Sequence, residues 1–372
     1  MTLSSEGKSI APEDNLENYS FDLPPELIAQ QAAEPRDSSR LLYANRAKGV
    51  IQHHHFTDLP ELLQPGDLLV YNNSRVIPAR IHTHSRGGGN LEILLAEPIA
   101  TLGETDFYRS NLLSQGEVEW KVLAKPSKRL RVGDQIDLPF GANMEVLKRF
   151  DDGERIVRIR LADESETFLS WLTRVGEMPL PPYIERNVIA ADRERYQTVY
   201  SQSEGSVAAP TAGLHFTPEL MNRLRTRGIE FAEITLHVGL GTFQPVRVEN
   251  IRDHRIHPEW VQVEPAAVTT IRRAKQDGRR VIAIGTTVTR TLEMLAQNET
   301  LDEFRNWCDL YILPGHRFRF VDGMITNFHL PKSSLFILIC ALLGREQALA
   351  IYRTAIQERY RFYSYGDGCL FV

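Results

Sequence analysis

Hydrophobic and polar positions alternate in short runs through the first half of the chain. The stretch "GDLLVYNNSRVIPARI" (66–81) is rich in β-branched residues and is broken at 72–74, which predicts a strand, a loop and a second strand. Up to about residue 161 further strand-like segments follow, namely "NLEILLAEPI", "VEWKVLAKP", "GDQIDLPF", "MEVLKRF" and "RIVRIRL". Gly or Pro turns separate most of these segments, and we predict no helix among them. This spacing is typical of a small antiparallel barrel or sandwich.

Helical spacing of the hydrophobic positions returns after about residue 165. The segment "ETFLSWLTRVG" predicts a helix that ends at a glycine, and "TPELMNRLRTRGI" predicts a helix with a Thr cap and Pro in its first turn. A strand follows in "EFAEITLHVGLGTFQPV". The later stretch "EPAAVTTIRRAKQDGRRVIAIGTTVTRTLEML" predicts a helix, a strand, a Gly-Thr-Thr turn and another helix. This is an α/β unit, and residues that follow its strand lie where open α/β sheets bind ligands.

Together the patterns predict an α/β protein with more than one domain, which as a whole is of the multidomain α+β class. A main α/β domain is interrupted by an inserted small antiparallel β-barrel. We assign residues 1–20 to a flexible tail, residues 21–75 and 165–372 to the main domain, and residues 76–164 to the barrel. The chain has 372 residues, of which 42% are hydrophobic and 24% charged. That length and composition suit a globular protein of about two domains.

The charge of the chain gives little support to non-specific nucleic-acid binding. Its net charge is -5, so it has no overall basic field. A local basic cluster is formed by Lys121, Lys125, Lys128, Arg129 and Arg131. Taken alone, this cluster is explained by a solvated face.

Cysteine usage and the apolar runs indicate where the protein works. Cys308, Cys340 and Cys369 are far apart and odd in number, which gives no metal spacing or disulfide framework and favours a reducing, cytoplasmic location. The N-terminal residues are polar and acidic, so we expect no secretory signal. The longest apolar run, "LFILICALL" (335–343), is about half of a membrane span. We therefore predict a buried helix and no membrane partner.

The stretch "GSVAAPTAGLHFT" (205–217) has the character of a pocket wall built from backbone. Gly205 and Gly213 permit positive φ and close approach to a ligand, the alanines leave room, and Pro210 stiffens the turn. The long irregular segment before it supplies polar groups for binding at Arg195, Tyr196 and Gln197. A purely structural loop is the alternative interpretation.

Two turns of the main domain have the residues for ligand contact. The turn "GTTVTRTLE" (285–293) places Thr286 and Thr287 at a helix N-terminus, which favours an anion, although a simple Thr cap explains it equally well. It lacks the Lys and the glycine spacing of a P-loop. The turn "HVGLGTF" (237–243) lacks the third glycine of a dinucleotide-binding motif, but it can bring backbone close to a flat ligand.

Histidines are the main candidates for proton transfer. His215, His237 and His329 each lie beside a Gly-rich or Asn/Phe-containing turn, which favours their placement in a pocket. His254, His257 and Glu259 together raise the alternative of a metal site, but their spacing matches no standard zinc helix and no Cys lies near.

A set of motifs, in order along the chain, resembles one known family. The motifs are "FDLPPELIAQ…RDSSRLL", "GDLLVYNNSRVIPAR", "GEMPLPPYI", "ERYQTVYSQSEGSVAAPTAGLHFT", "LHVGLGTFQPV", "HRIHPEW", "AIGTTVTRTLE", "VDGMITNFHLPKSSL" and "YRFYSYGDGCL". The chain from about Phe21 to Val372 is similar to the S-adenosylmethionine:tRNA ribosyltransferase-isomerases of queuosine biosynthesis. Small departures are Ala32, where the family often has Pro, and Ile256, where Met is common.

The resemblance implies an enzyme with two substrates. The ribosyl part of S-adenosylmethionine would be transferred to, and isomerised on, 7-aminomethyl-7-deazaguanine at the wobble position of tRNA. The products would be epoxyqueuosine in tRNA, adenine and methionine. S-adenosylmethionine would be a ribosyl donor, and neither a prosthetic group nor a metal is implied. We further expect a monomer in the cytoplasm.

The implied chemistry assigns groups of residues to roles. The sulfonium acidifies the neighbouring 5′ protons of the ribose, so a base is needed there, and the departing adenine needs a proton. The candidates for these roles, with base and acid not distinguished, are His215, His237, His254, His257, Glu259 and His329. Candidates for substrate binding are Arg195, Tyr196, Gln197, Ala209, Pro210, Thr211, Gly213, Phe216, Gly239, Gly241, Thr242, Phe243, Thr286, Thr287, Asn327 and Phe328. Candidates for tRNA phosphate contacts are Arg36, Arg40, Arg75, Lys125 and Arg129.

Two other classes of function compete with this one. A metal-dependent hydrolase would use His254, His257 and Glu259 and would bind metal stoichiometrically. An RNA-binding module would use the barrel without chemistry, and S-adenosylmethionine would then leave its tRNA affinity unchanged.

Overall fold

The computed structural model describes residues 10–100, 106–239, 241, 245–298 and 302–372. Its strands are β1 (Arg40–Asn45), β2 (Val50–His55), β3 (Leu68–Asn72), β4 (Ser74–Val76), β5 (Arg80–His84), β6 (Asn90–Pro98), β7 (Glu117–Lys125), β8 (Gln135–Asp137), β9 (Asn143–Arg149), β10 (Arg155–Arg160), β11 (Ser203–Ser206), β12 (Glu230–Leu236), β13 (Glu259–Val263), β14 (Val281–Ile284), β15 (Phe304–Cys308), β16 (Gly323–Asn327) and β17 (Gly368–Phe371).

The α-helices are α1 (Leu59–Leu62), α2 (Phe107–Leu113), α3 (Phe168–Val175), α4 (Asp192–Arg195), α5 (Pro218–Thr226), α6 (Pro265–Gln276), α7 (Thr286–Leu295), α8 (Ser334–Leu343) and α9 (Arg345–Gln357). Short 3₁₀ helices occupy Pro12–Asp14, Leu16–Tyr19, Pro25–Leu27, Arg36–Ser38, Phe56–Asp58, Ser127–Arg129, Pro139–Gly141, Thr211–His215 and Ile251–Asp253.

The main sheet has nine strands in the order β15-β13-β12-β3-β14-β16-β17-β1-β2. Its four central strands β12, β3, β14 and β16 run parallel to one another, and they are flanked by β13 and β17, which run antiparallel to them. Successive side chains of a strand point to opposite faces, and both faces here are covered. Val281 and Ala283 pack with α6 and α7, whereas Ile282 and Ile284 pack with α1 and α5. Burial on both faces explains why "VIAI" is a continuous apolar run.

The second sheet has six antiparallel strands in the order β5-β6-β7-β10-β9-β8. Its inward residues form one core around Trp120, which is fully buried. The two outer strands approach each other, since Thr83 Oγ1 donates a hydrogen bond to the backbone oxygen of Asp137 at 2.6 Å. The sheet is therefore nearly closed, and the predicted fold class, an α/β protein carrying a small antiparallel barrel, is confirmed.

The prediction that no helix interrupts the barrel strands is wrong for α2. Phe107 and Tyr108 on this helix are buried, and the ring of Phe107 lies 5.1 Å from that of Trp260 and 5.8 Å from that of Trp307. These tryptophans belong to β13 and β15 of the main sheet. Packing on side chains distant in sequence stabilises a helix too short to show a clear period.

Part of the segment we assigned to a flexible tail packs on the core. Leu16 and Tyr19 are buried in the cluster built around α8 and α9, and Lys332 N donates to the backbone oxygen of Tyr19 at 2.9 Å. Residues 1–9 lie outside the described part of the chain. The division of the chain at residues 75 and 164 stays a prediction.

The apolar run 335–343 forms the buried helix α8, as predicted. Among the described helices no single one has the length and apolarity to cross a membrane. Together, α8 and α9 have the required length and apolarity, but the two helices are bent by 114° relative to each other.

Candidate active site

A cavity of about 180 Å³ lies where the parallel strands β14 and β16 end. Ligand sites of open α/β sheets occur at this edge, outside the carboxyl ends of the strands. The cavity is lined by Tyr183, Ala209, Pro210, Thr211, Ala212, Val238, Pro245, Gly285, Thr286, Thr287, Thr326, Asn327, Phe328, His329, Leu330, Pro331, Ser333, Leu335, Tyr363 and Ser364. None of these described lining residues is Asp, Glu, Lys or Arg, so the cavity walls are neutral apart from any charge on His329.

The N-terminus of α7 forms one side of this cavity. Gly285 is the N-cap residue and has φ +100, a left-handed conformation that glycine adopts without strain. It has no side chain to accept a hydrogen bond from the first turn. Thr286 and Thr287 follow it and line the cavity. The first N–H groups of a helix carry partial positive charge, so this side of the cavity suits an anionic group.

The stretch 205–217 supplies part of the wall, as its composition predicted. Ala209, Pro210 and Thr211 line the cavity. The two glycines that we expected to approach a ligand instead approach protein side chains. A Cβ on Gly213 would lie 2.1 Å from Tyr200 Oη, and one on Gly205, which has φ +140, would lie 2.6 Å from Tyr108 Cδ1. Gly205 therefore uses both the conformational freedom and the small size of glycine for packing within the protein, whereas Gly213 uses its small size alone.

His215 lies behind the cavity wall. Its ring stacks on that of Phe56, with centroids 4.1 Å apart and planes 14° apart, and its Nε2 lies 3.0 Å from Asn327 Nδ2. Burial, together with the positive charges of Arg361 and Arg36, lowers the pKa of His215 to about 3. The imidazole is therefore neutral near pH 7.

His329 is the predicted catalytic histidine that lines the cavity. Its Nε2 lies 2.9 Å from Thr326 Oγ1, and its backbone N–H donates to Tyr352 Oη at 3.2 Å. Burial lowers the pKa of His329 to about 3, so this imidazole is also neutral near pH 7. Phe328 beside it lines the cavity from the apolar core. Phe216 is fully buried under the sheet and is not among the lining residues.

His237 lies in a different cavity, of about 520 Å³, next to α2. Its ring stacks on Tyr108, with centroids 3.9 Å apart and planes 19° apart. Burial lowers its pKa to about 3. The structure thus separates His237 from His215 and His329.

Four further predicted residues lie around a third cavity, of about 470 Å³, between the barrel and the main sheet; they are Gly239, Gly241, His257 and Glu259. Glu259 is buried and accepts a hydrogen bond from Arg290 Nη1 at 2.6 Å and from Gly239 N at 3.0 Å. Its contacts favour a structural role, and its catalytic role stays a prediction. The ring of His254 contacts the edge of Tyr311. Among the described residues, no group of three His, Cys, Asp or Glu side chains is arranged to hold a metal ion.

The residues predicted to precede the wall hold the loop in place. Gln197 is buried, accepts from Val76 N at 2.9 Å and donates to Val76 O at 2.8 Å. Tyr196 is fully buried. Arg195 pairs with Glu34 at 3.3 Å, and Arg195 Nη2 also donates to a backbone oxygen. Of the predicted substrate-binding residues, Thr242 and Phe243 lie outside the described residues.

The residues predicted to contact tRNA fall into two groups. Arg36 Nη1 donates to the backbone oxygen of Gln197 at 2.8 Å, and Arg40 lies over the ring of Tyr360, while Arg75 donates to Ser201 Oγ at 3.1 Å. These three lie outside the six-stranded sheet. Lys125 and Arg129 are exposed at one end of the barrel, where they line an open cleft along the seam between β5 and β8.

The comparisons with known proteins place this arrangement in a family. The family model described as "Queuosine biosynthesis protein" matches residues 16–371. The chain belongs to the queuosine biosynthesis protein family. It is 47% identical to S-adenosylmethionine:tRNA ribosyltransferase-isomerase of Heliobacterium modesticaldum, covering 95% of this chain and 98% of the relative. It is 48% identical to the protein of the same name from Desulfitobacterium hafniense, covering 96% and 99%.

A solved structure agrees with the family assignment. The crystal structure of S-adenosylmethionine tRNA ribosyltransferase from Thermotoga maritima is 34% identical, has a TM-score of 0.54 and is matched over 95% of this chain and 100% of its own. The resemblance found in the sequence motifs is therefore confirmed.

Several residues that line the cavity of this family member were not predicted. Tyr183 and Ser364 hydrogen-bond through their hydroxyls, and the ring centroids of Tyr183 and Tyr363 lie 3.7 Å apart. Leu330 and Ser333 come from the turn that follows β16. The irregular segments "MPLPPYIER" and "YSYGDG" were signals of a loop, but nothing in them indicated that the two loops meet.

Proposed function

We propose that this protein transfers and isomerises the ribosyl moiety of S-adenosylmethionine onto 7-aminomethyl-7-deazaguanine at the wobble position of tRNA. The products are epoxyqueuosine in tRNA, adenine and methionine. One observation carries the proposal: curated relatives of this name share 47–48% identity with the chain over nearly its full length. The cavity at the ends of β14 and β16 supports it, since it has the position and neutral lining that a small-molecule substrate needs.

S-adenosylmethionine occupies this cavity in the proposal. Its carboxylate suits the N-terminus of α7 at Thr286 and Thr287, where helix N–H groups favour an anion. Its purine suits the apolar walls, to which Phe328 and Ala209 belong. The absence of Lys and Arg from the described lining suits the cationic sulfonium, because it adds no like charge beside it.

His329 is the candidate base in this arrangement. A base must remove a proton from the 5′ carbon beside the sulfonium, and it needs direct access to the bound donor. His329 lines the cavity and is neutral near pH 7 because burial lowers its pKa to about 3. The same shift makes the imidazole a weak base, so its position in the cavity is what supports this role. A neutral imidazole accepts a proton but is not an imidazolium acid. The proton that adenine takes as it leaves then comes either from the protonated His329 itself or from another group.

The tRNA lies against exposed basic residues. Lys125 and Arg129 at one end of the barrel offer phosphate contacts, which position an RNA without reading its sequence. The wobble base must leave its stack to reach a cavity within the main domain. Because its substrate is tRNA, we place the enzyme in the cytoplasm. We propose that it acts as a monomer without a metal ion or prosthetic group.

The deciding experiment uses the full chain, S-adenosylmethionine and tRNA that carries the deazaguanine precursor. We expect adenine and methionine to be released in equal amounts, in step with a new modified nucleoside in the tRNA. One matched control combines S-adenosylmethionine with tRNA that lacks the precursor. The other contains tRNA without S-adenosylmethionine. Release of S-adenosylhomocysteine, or no release of adenine, would overturn the proposal. Unchanged turnover after metal chelation would count against the hydrolase built on His254, His257 and Glu259.

A further inference from the structure

One residue that lines the cavity has a buried hydrogen-bond acceptor that the protein itself leaves unused. Asn327 is the last residue of β16, is 2% exposed and lines the cavity. Its Oδ1 is shielded from solvent and has no hydrogen-bond partner among the described residues. Leaving such an acceptor unpaired destabilises the folded protein. A buried polar atom of this kind at a cavity needs a partner that the folded chain does not supply.

The other arm of the same amide is fixed. Asn327 Nδ2 donates to the backbone oxygen of Asp367 at 3.4 Å and lies 3.0 Å from His215 Nε2. A backbone oxygen only accepts hydrogen bonds, so the NH₂ group must face it. His215 is neutral, and its Nε2 accepts when the ring proton sits on Nδ1. Rotating the amide by half a turn would place two acceptors, Oδ1 and the Asp367 oxygen, against each other.

This fixed orientation determines what the cavity offers a ligand. Asn327 keeps its donor for the protein and has its acceptor free for a partner. Because Oδ1 is shielded in the free protein, a ligand in the cavity reaches it through a small shift of the cavity wall. The ligand group that pairs with it must therefore carry an N–H or O–H. In the proposed substrate, the donors are the 6-amino group of adenine, the α-ammonium of the methionine part and the two ribose hydroxyls. The two nitrogen donors lie at the two ends of the molecule and are the ones tested below.

We propose that Asn327 Oδ1 accepts a hydrogen bond from an N–H group of S-adenosylmethionine and so positions this substrate in the cavity. The inference rests on the proposed function, because it takes S-adenosylmethionine as the occupant. Asn327 is a positioning residue in this proposal, and it takes no part in proton transfer.

The test compares S-adenosylmethionine with two analogues, one with purine in place of adenine and one without the α-amino group. Equilibrium dissociation constants are measured for the wild type and for Asn327→Ala, and KM and kcat are measured in the turnover assay. For one analogue, we expect the wild type to bind about 2- to 150-fold more weakly than S-adenosylmethionine, the range that runs from a hydrogen bond with a neutral donor to one with a charged donor. Asn327→Ala should bind that analogue and S-adenosylmethionine nearly equally, and its KM should rise more than its kcat falls. The analogue that the wild type binds more weakly shows which N–H group bonds to Asn327 Oδ1.

Two further variants separate positioning from folding. Asn327→Ser keeps a small polar group and serves if Asn327→Ala does not fold. Asn72→Ala is the matched control, because Asn72 is 1% exposed and both arms of its amide are bonded within the protein, to Leu236 and Ser74. We expect Asn72→Ala to lower the unfolding temperature while it leaves the discrimination between ligands intact.

The outcomes keep this inference apart from the proposed function. If the wild type and the Asn327 variants discriminate equally for both analogues, neither N–H group of S-adenosylmethionine bonds to Oδ1 and the inference is overturned. S-adenosylmethionine can bind and be distinguished from its analogues as expected while no adenine is released with precursor tRNA. In that case the proposed function fails and the role of Asn327 stands. If S-adenosylmethionine does not bind at all, both are overturned.

Discussion

The Nε2 of His215 lies 3.0 Å from the Nδ2 of Asn327, which joins the stretch 205–217 to the end of β16. His215 is held from its other side by stacking on Phe56. The imidazole therefore supports a residue that lines the cavity, and it does not line the cavity itself.

Replacing His215 by Ala should weaken substrate binding through Asn327. The change removes the acceptor for Asn327 Nδ2 and the ring that stacks on Phe56, so we expect KM for S-adenosylmethionine to rise several-fold. We also expect the free energy of unfolding to fall by about 1–3 kcal/mol. Steady-state kinetics and urea unfolding measure the two effects. His54→Ala, on the half-exposed strand β2, is the matched control. A loss of kcat with KM unchanged would contradict this prediction and favour a direct catalytic role.

Stability should fall as the pH drops below 6.5. Burial lowers the pKa of His215, His237 and His329 to about 3, whereas an exposed histidine in the unfolded chain has a pKa near 6.5. Below pH 6.5 the unfolded chain binds protons that the folded chain does not, and stability rises with pH wherever the unfolded state binds more protons. The stabilisation is thus complete above pH 6.5 and is lost progressively toward pH 3.

Urea unfolding between pH 7.5 and 5 tests this dependence, because carboxylates titrate mainly below that range. The variant His237→Phe keeps a ring against Tyr108 and removes one titrating group. We expect its unfolding free energy to depend less steeply on pH than that of the wild type. Equal slopes would show that His237 is not held neutral by burial.

The secondary structure could be predicted wherever a regular period ran through an element. The buried strand "VIAI" with the turn and helix after it was predicted as β14 and α7, and the alternating segments were predicted as barrel strands. Helix α2 was missed, because its packing partners lie far away in sequence: Phe107 packs on Trp260 and Trp307, and Tyr108 stacks on His237.

The lining of the cavity could be predicted where it follows a strand and in the Ala- and Pro-rich stretch 205–217. Thr286, Asn327 and His329 come directly after β14 or at the end of β16, and all three line the cavity. Tyr183 and Ser364 reach the same cavity from irregular loops. Sequence reasoning could not find them, since a loop has no period and its position is set by tertiary contacts.

A methyl group on Gly213 should destabilise the wall of the cavity. The added Cβ of Gly213→Ala would lie 2.1 Å from Tyr200 Oη and 2.8 Å from Thr198 Cγ2, so the backbone or a buried side chain must move. Overpacking of this kind costs about 1–3 kcal/mol. Thermal unfolding measures the effect. Gly87→Ala is the matched control, because its Cβ would have no atom within 4 Å. Equal unfolding temperatures for the two variants would contradict the prediction.

The buried pair Glu259–Arg290 should be mainly structural. Arg290 donates to Glu259 Oε2 at 2.6 Å and to the backbone oxygens of Leu310 and Cys308, which ties α7 to the strand β13 and the chain around β15. Glu259→Ala leaves a buried guanidinium without its carboxylate and should cost about 3–5 kcal/mol. The double variant Glu259→Leu/Arg290→Met should recover part of this loss. Urea unfolding and the turnover assay together distinguish a structural from a catalytic role. A catalytic Glu259 would lose kcat in Glu259→Gln without a loss of stability.

Reversing the charge of Lys125 and Arg129 should weaken tRNA binding without affecting S-adenosylmethionine. Both residues are exposed at the same end of the barrel. Each phosphate contact adds about 1 to the slope of log affinity against log salt concentration, so Lys125→Glu/Arg129→Glu should lower that slope by about 2. KM for tRNA should rise and KM for S-adenosylmethionine should stay constant.

The matched control for this change is Arg223→Glu/Arg273→Glu, which alters the net charge by the same amount at exposed sites on α5 and α6. Long-range electrostatics alone would weaken tRNA binding equally in both double variants, since they change the total charge identically. A local contact surface weakens it only in the barrel variant and lowers the salt slope only there. Equal losses would therefore place the tRNA away from this end of the barrel.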